Sequence, residues 1–195
     1  MRRHGISRRG LIKDTRLMIR RTLHRACSLR RPGIAAVAFC LVLFSPDPAR
    51  SAQSMTGQAA PDFALRTLES QNIRLSEFRG EVVLINFWAT WCGACQQELT
   101  ALDDLYAKYN RAGLVMLGVN IDDDAGRAAE MVRKLKVSFP VLMDEHKEVA
   151  RLYQLQDMPV TLLVDREGVV RVWYDNYKPG HEKQYLERVR ELLKE

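Results

Sequence analysis

Histidine and cysteine are scarce. The 195-residue chain carries 4 of each, and two of each fall within the first 51 residues, as His4, His24, Cys27 and Cys40. Beyond that point only His146, His181, Cys92 and Cys95 remain. The histidines stand far apart in polar stretches, so a structural metal site lacks ligands. One cysteine pair three residues apart closes almost no loop, which excludes a disulfide scaffold. Basic excess is also missing from the body. Residues 1–51 hold 12 Lys/Arg against 2 Asp/Glu, whereas residues 52–195 hold 18 against 22, a net of −4. Without a basic stripe to neutralise phosphates, nucleic acid is not an expected partner. No repeat or low-complexity segment occurs.

Long apolar runs are absent too. The one in the leader, GIAAVAFCLVLFS at 33–45, has 13 residues. That length suits a signal-peptide core better than a membrane span, which needs roughly 20. Arginines precede it, and Ala49-Arg50-Ser51 after it is a usable small-x-small cleavage site. Two readings of residues 1–51 stay open, a cleaved signal peptide (preferred) and a retained membrane anchor. Met18 offers a more ordinary start for such a leader. Ser7-Arg8-Arg9-Gly10-Leu11-Ile12-Lys13 resembles a twin-arginine export motif, but further arginines separate it from the apolar core, and chance is the preferred explanation. Phe39 before Cys40 is too bulky for a good lipobox. Either way the body is expected to be exported, with 52–61 as a linker and 62–195 as one domain.

The body alternates in period. Asp62–Leu65 and Ile73–Leu75 flank a polar turn and read as a short hairpin. VVLINFW at 82–88 is a continuous β-branched run, expected as a strand buried on both faces. From Gly93, apolar residues recur at three- and four-residue spacing up to Gly113, which predicts a helix. Residues 114–121 read as a second buried strand, 140–144 as a short one, and 160–165 with 169–174 as an antiparallel hairpin. Helices are expected to about Leu135, at 146–154 and at about 182–193. Asp122-Asp123-Asp124 lacks the alternating spacing of a calcium loop and reads as a cap with solvated charges. The order predicts an α/β fold, a mixed sheet flanked by helices.

Cys92 then falls where a buried strand ends and a helix begins, where unpaired N–H groups and the helix dipole favour a thiolate. Cys95, one turn further on, can attack a mixed disulfide at Cys92 and release a reduced substrate. Glu98 follows three residues later on the same helix face. It is either a solvated helix glutamate or, as preferred, the proton acceptor that exchange needs. A metal-binding or copper-delivery module is the rival from another class, and it lacks a neighbouring histidine or methionine cluster. A peroxidase is weaker still. Thr90 stands two residues before Cys92 rather than three, and no proline precedes it nearby.

The stretch NFWATWCGAC at 86–95 resembles the thioredoxin fold, and most closely the exported thiol–disulfide oxidoreductases of the TlpA/ResA/CcmG group within the redoxins. The resemblance covers about residues 60–193. The APDFAL segment, an N-terminal β extension, and a strand–helix insertion between Asn120 and Gln154 match that group better than minimal thioredoxin. It implies Cys92 and Cys95 as the redox pair, Glu98 as a proton relay, and Gly93 with Ala94 as residues that tune the potential. It implies a cis Pro159 beside Met158 in a docking site that Trp91 rims, whereas Trp88 belongs to the core. Asn86 occupies the place of thioredoxin's buried aspartate and cannot take a proton. Ala94 stands where many exported members have proline, Thr100 where many have a helix-kinking proline, and YQLQDMPVT departs from the CcmG pattern. No organic cofactor is implied, since the electrons reside in the cysteine pair. Expected partners are protein disulfides or dithiols and a membrane thiol carrier of the DsbD/CcdA type. The implied location is the bacterial periplasm, with roles in cytochrome c or copper-oxidase maturation. Net direction, as reductase or as oxidase/isomerase, is not fixed by these residues.

Overall fold

Strands that alternate with helices need crossovers, and crossovers place helices against the sheet. The computed structural model describes residues 54–195. The leader readings, Cys27, Cys40 and the cleavage site lie outside the described residues. The chain forms β1 (Ala64–Thr67), β2 (Asn72–Arg74), β3 (Val82–Trp88), α1 (Gly93–Tyr109), β4 (Leu114–Asn120) and α2 (Ala125–Leu135). It continues as β5 (Val141–Met143), α3 (Glu148–Leu152), β6 (Val160–Val164), β7 (Val170–Asp175) and α4 (His181–Leu192). One seven-stranded sheet results, ordered β2-β1-β5-β4-β3-β6-β7. It is the mixed, helix-flanked α/β arrangement of a thioredoxin fold, with β1 and β2 as the N-terminal extension.

β3 is apolar at nearly every position because it is central. β4 pairs with it in parallel from Val82↔Leu114 to Trp88↔Asn120, and β6 pairs antiparallel from Val83↔Val164 to Phe87↔Val160. All seven of its residues are buried. α1 runs unbroken past Thr100, whose hydroxyl bonds the Gln96 carbonyl at 3.3 Å. It lays Cys95, Glu98, Leu99, Leu102 and Leu105 inward, and it packs on α4. Gly113, at φ 98°, ends the turn after α1 in the left-handed region that glycine tolerates.

Three readings shift. The first hairpin sits two residues later on its N-terminal arm than expected. The segment read as a linker is docked from Gly57 onward. Gly57 N–H donates to the Val170 carbonyl at 2.7 Å, Val170 N–H to Gln58 at 2.9 Å, and Ala60 N–H to Gly168 at 2.9 Å. These bonds cover the start of β7, an otherwise open sheet edge. The aspartate run divides. Asp124 caps α2, accepting from Gly126 N–H at 2.8 Å, and Asp123 is exposed beside Arg127. Asp122 is neither a cap nor solvated, being 4% exposed. Among the described residues no helix is long and apolar enough to cross a membrane.

Candidate active site

β3 delivers the chain to a short loop, Ala89–Cys92, from which α1 departs. Cys92 is the N-cap of α1, and its sulfur accepts from the Cys95 N–H at 3.1 Å. The two cysteines are joined as a disulfide, with Cα atoms 5.3 Å apart. Their environments differ. Cys92 is 8% exposed and Cys95 is fully buried. An attacking sulfur from another molecule can therefore reach Cys92 and not Cys95. Opened, the pair would leave the Cys92 sulfur at the positive end of a 17-residue helix, a place that favours the thiolate.

The loop is held from below by Asp122. Its carboxylate accepts from Thr90 N–H at 2.9 Å, from the Thr90 hydroxyl at 3.0 Å and from the Asn120 amide at 2.8 Å. Strand register explains the meeting. Trp88 and Asn120 are paired at the ends of two parallel strands, so residues two further along each chain emerge side by side. The bonds fix the backbone two residues before the accessible sulfur.

A second buried carboxylate lies on α1 itself, three residues after Cys95. Glu98 is 1% exposed, which rules out the solvated glutamate. Asn86 on β3 and Thr161 on β6 are cross-strand partners, so their side chains share one face of the sheet, and α1 covers that face. Glu98 Oε2 accepts from the Asn86 amide at 2.9 Å, while Oε1 accepts from the Thr161 hydroxyl at 2.8 Å and from the Tyr185 hydroxyl of α4 at 2.6 Å. Burial holds the Glu98 carboxyl above the usual glutamate range, and the three hydrogen bonds from Tyr185, Thr161 and Asn86 offset only part of it. The carboxyl therefore takes a proton more readily than a surface glutamate does. Tyr185 is pushed up as well, first by burial and then by the Glu98 charge.

The remaining expected residues fall around this centre. Trp91 is 66% exposed, and Trp88 is fully buried. The Met158–Pro159 bond is cis. Trp91, Ile121, Ala150, Arg151, Leu155 and Met158 line a groove of about 310 Å³, so the residue that precedes Cys92 and the one that precedes the cis proline share one depression. Gly93 opens α1, and a Cβ built there meets nothing within 4 Å. Its small size is therefore not a packing requirement. Ala94 is half-buried behind it. Four contributors escaped the sequence reading: Thr90, Asp122, Thr161 and Tyr185. The last two lie 63 and 87 residues from Glu98, so no pattern around Glu98 itself marks them. Thr161 alone had a signal, as the residue two past the expected cis proline in a strand beside the cysteines.

Comparison with known proteins agrees with this architecture. Residues 56–173 match the model of the AhpC/TSA family. The thiol-disulfide oxidoreductase ResA of Geobacillus thermodenitrificans is 32% identical over 135 residues, 69% of this chain and 78% of that one. Among solved structures, a Chlorobium tepidum protein provisionally named thiol:disulfide interchange protein DsbE superposes with a TM-score of 0.68 at 32% identity, covering 71% of this chain and 97% of that one. A protein of Bacteroides thetaiotaomicron provisionally named a protein disulfide isomerase superposes at 0.67 with 26% identity, covering 72% and 91%. With a redox-type cysteine pair on a thioredoxin fold and a family match across most of the body, the chain belongs to the AhpC/TSA family.

Proposed function

We propose that this protein is an exported thiol–disulfide oxidoreductase that works in the bacterial periplasm as a reductase of protein disulfides. The observation that carries the reading is the unequal pair, Cys92 reachable at a helix N-terminus and Cys95 sealed beneath it beside a buried carboxyl. Starting from the dithiol, the Cys92 thiolate attacks one sulfur of a substrate disulfide, and the other substrate sulfur leaves as a thiolate that takes up a proton. Glu98 accepts the proton of the Cys95 thiol. The Cys95 thiolate attacks the Cys92 sulfur, the second substrate sulfur departs, and the proton held at Glu98 is returned through solvent to that thiolate. Two electrons and two protons pass to the substrate, and Cys92–Cys95 is left as the disulfide. No organic cofactor enters this cycle. A membrane thiol carrier of the DsbD/CcdA type would regenerate the dithiol. Trp91, Met158 and Pro159 would dock the client as an added strand, and Gly93 with Ala94 would set the potential. Apocytochrome c, copper-centre assembly proteins and proteins under general disulfide repair are the client classes that the resemblance to the TlpA/ResA/CcmG group leaves open.

Equilibration of the Cys92/Cys95 pair with a defined thiol buffer tests the direction. The scale runs from roughly −270 mV for thioredoxin to about −120 mV for DsbA. A potential near the thioredoxin end is expected, and one near the DsbA end would reverse the flow of electrons assigned here. The roles within the pair have their own check. Cys95→Ser should accumulate a mixed disulfide through Cys92, seen by mass under non-reducing conditions, and an adduct that survives loss of Cys92 would exchange the two roles.

A further inference from the structure

Three donors converge on Glu98, and one acceptor beside it has nothing to accept. The Asn86 amide gives one hydrogen to Glu98 Oε2 at 2.9 Å and the other to Thr161 Oγ1 at 2.8 Å. Its own Oδ1 is buried and has no partner. A buried amide oxygen without a donor is uncommon and asks for a reason. Protonation of Glu98 supplies one. Once Oε2 carries a hydrogen, it faces the Asn86 NH2 as donor against donor across 2.9 Å. A half-turn about the soft terminal torsion of Asn86 exchanges oxygen and nitrogen in nearly the same volume, with no movement of the backbone.

We propose that Asn86 is a positioning residue for Glu98, its side-chain amide rotating by half a turn whenever that carboxyl gains or loses a proton. In the rotated state Oδ1 accepts from the Glu98 O–H and from the Thr161 hydroxyl, Tyr185 still donates to Oε1, and the amide nitrogen becomes the stranded group. Each state leaves one polar atom of Asn86 unpaired. Neither is therefore locked, and a carboxyl held in both states can pass a proton in both directions. An aspartate at residue 86 would be different, since two carboxyls at this distance share one proton. The titratable groups that face Glu98 are Cys95 one turn back on α1, Tyr185 on α4 and Tyr177 before it. Among the described residues no cationic side chain bonds to it. The relevance of the switch to exchange rests on the function proposed above, in which the proton comes from Cys95.

The test uses the oxidised full chain, labelled with 15N-asparagine and 13C-glutamate. The Glu98 carboxyl carbon and the Asn86 side-chain amide are followed by NMR across pH. Both should move with one midpoint, above the usual glutamate range. In Glu98→Gln the new NH2 takes the place of the acid O–H, so the Asn86 signals should sit at the acid limit of the wild-type titration at every pH. A carboxyl that titrates while Asn86 stays still would overturn the proposal. So would a Glu98 that never titrates before the protein unfolds, or Asn86 signals in Glu98→Gln at the alkaline limit. Should Glu98→Gln fail to fold, the wild-type titration decides alone. The oxidised protein carries out no exchange, so the outcome is separate from redox activity. Coupled titration in a protein unable to reduce a disulfide would remove the oxidoreductase reading and leave the switch, and a still Asn86 in an active one would do the opposite.

Discussion

Two buried carboxylates flank the cysteine pair, and they are held in different ways. Asp122 lies under the loop that leads to Cys92 and takes a main-chain N–H among its donors. Glu98 lies on the inward face of the helix that follows and takes only side-chain donors, from three separate elements. A carboxylate bonded to the backbone of a loop fixes where that loop runs. One surrounded by hydroxyls and an amide, beside the sealed cysteine, has donors that can turn as its proton comes and goes. Burial of an acid therefore does not by itself mark proton chemistry. What separates the two is whether the partners are a backbone to be fixed or rotors that can answer a change of charge.

The largest effect should come from exchanging the roles by mutation. Glu98→Gln should slow reduction of a protein disulfide by about 10²-fold, the lower end of what a positioned acid–base group supplies, with little loss of stability at neutral pH. Asp122→Ala should show the reverse pattern. It leaves the Thr90 N–H and the Asn120 amide without their acceptor, which costs about 1–3 kcal/mol of stability, with a smaller drop in rate. Single-turnover kinetics and denaturant titration on both variants give the crossed pattern. If Asp122→Ala loses rate as steeply as Glu98→Gln at equal stability, the two carboxylates do not divide the work in this way.

These roles were unequally legible in the sequence. β3 could be read to the residue because a central strand is apolar at nearly every position, Asn86 excepted, and that run also fixed where Cys92 would fall. Glu98 was visible through helix spacing from Cys95. Its pocket was not, because Thr161 and Tyr185 reach it only after β6 and α4 have been placed. Asp122 was misread for a related reason. Three consecutive aspartates carry no periodicity, so the one that turns inward is chosen by the β3–β4 register, which puts residue 122 beside Thr90. Asp124, a cap, needed only its own helix and was read correctly as belonging to one. Local chemistry is written locally, and a site assembled across strands is not.

The smallest effect, and the sharpest discriminator, is the pH dependence of stability. Glu98 has a folded-state pKa above the ordinary value of 4.5. Between the two values the folded protein keeps a proton that the unfolded chain has released. Stability must then fall as pH rises through this window, level off above it, and be unaffected by this group below it. Glu98→Gln cannot release a proton, so that decline should vanish, and the variant should equal or exceed wild type on the alkaline side. Asp122→Ala should lower the whole curve and keep the decline, since Glu98 is untouched. Denaturant midpoints measured for the three proteins from the ordinary glutamate range to neutral pH provide the comparison. A Glu98→Gln curve parallel to wild type would mean that the Glu98 carboxyl is already ionised throughout, and that its hydroxyl and amide partners hold it as firmly as the loop holds Asp122.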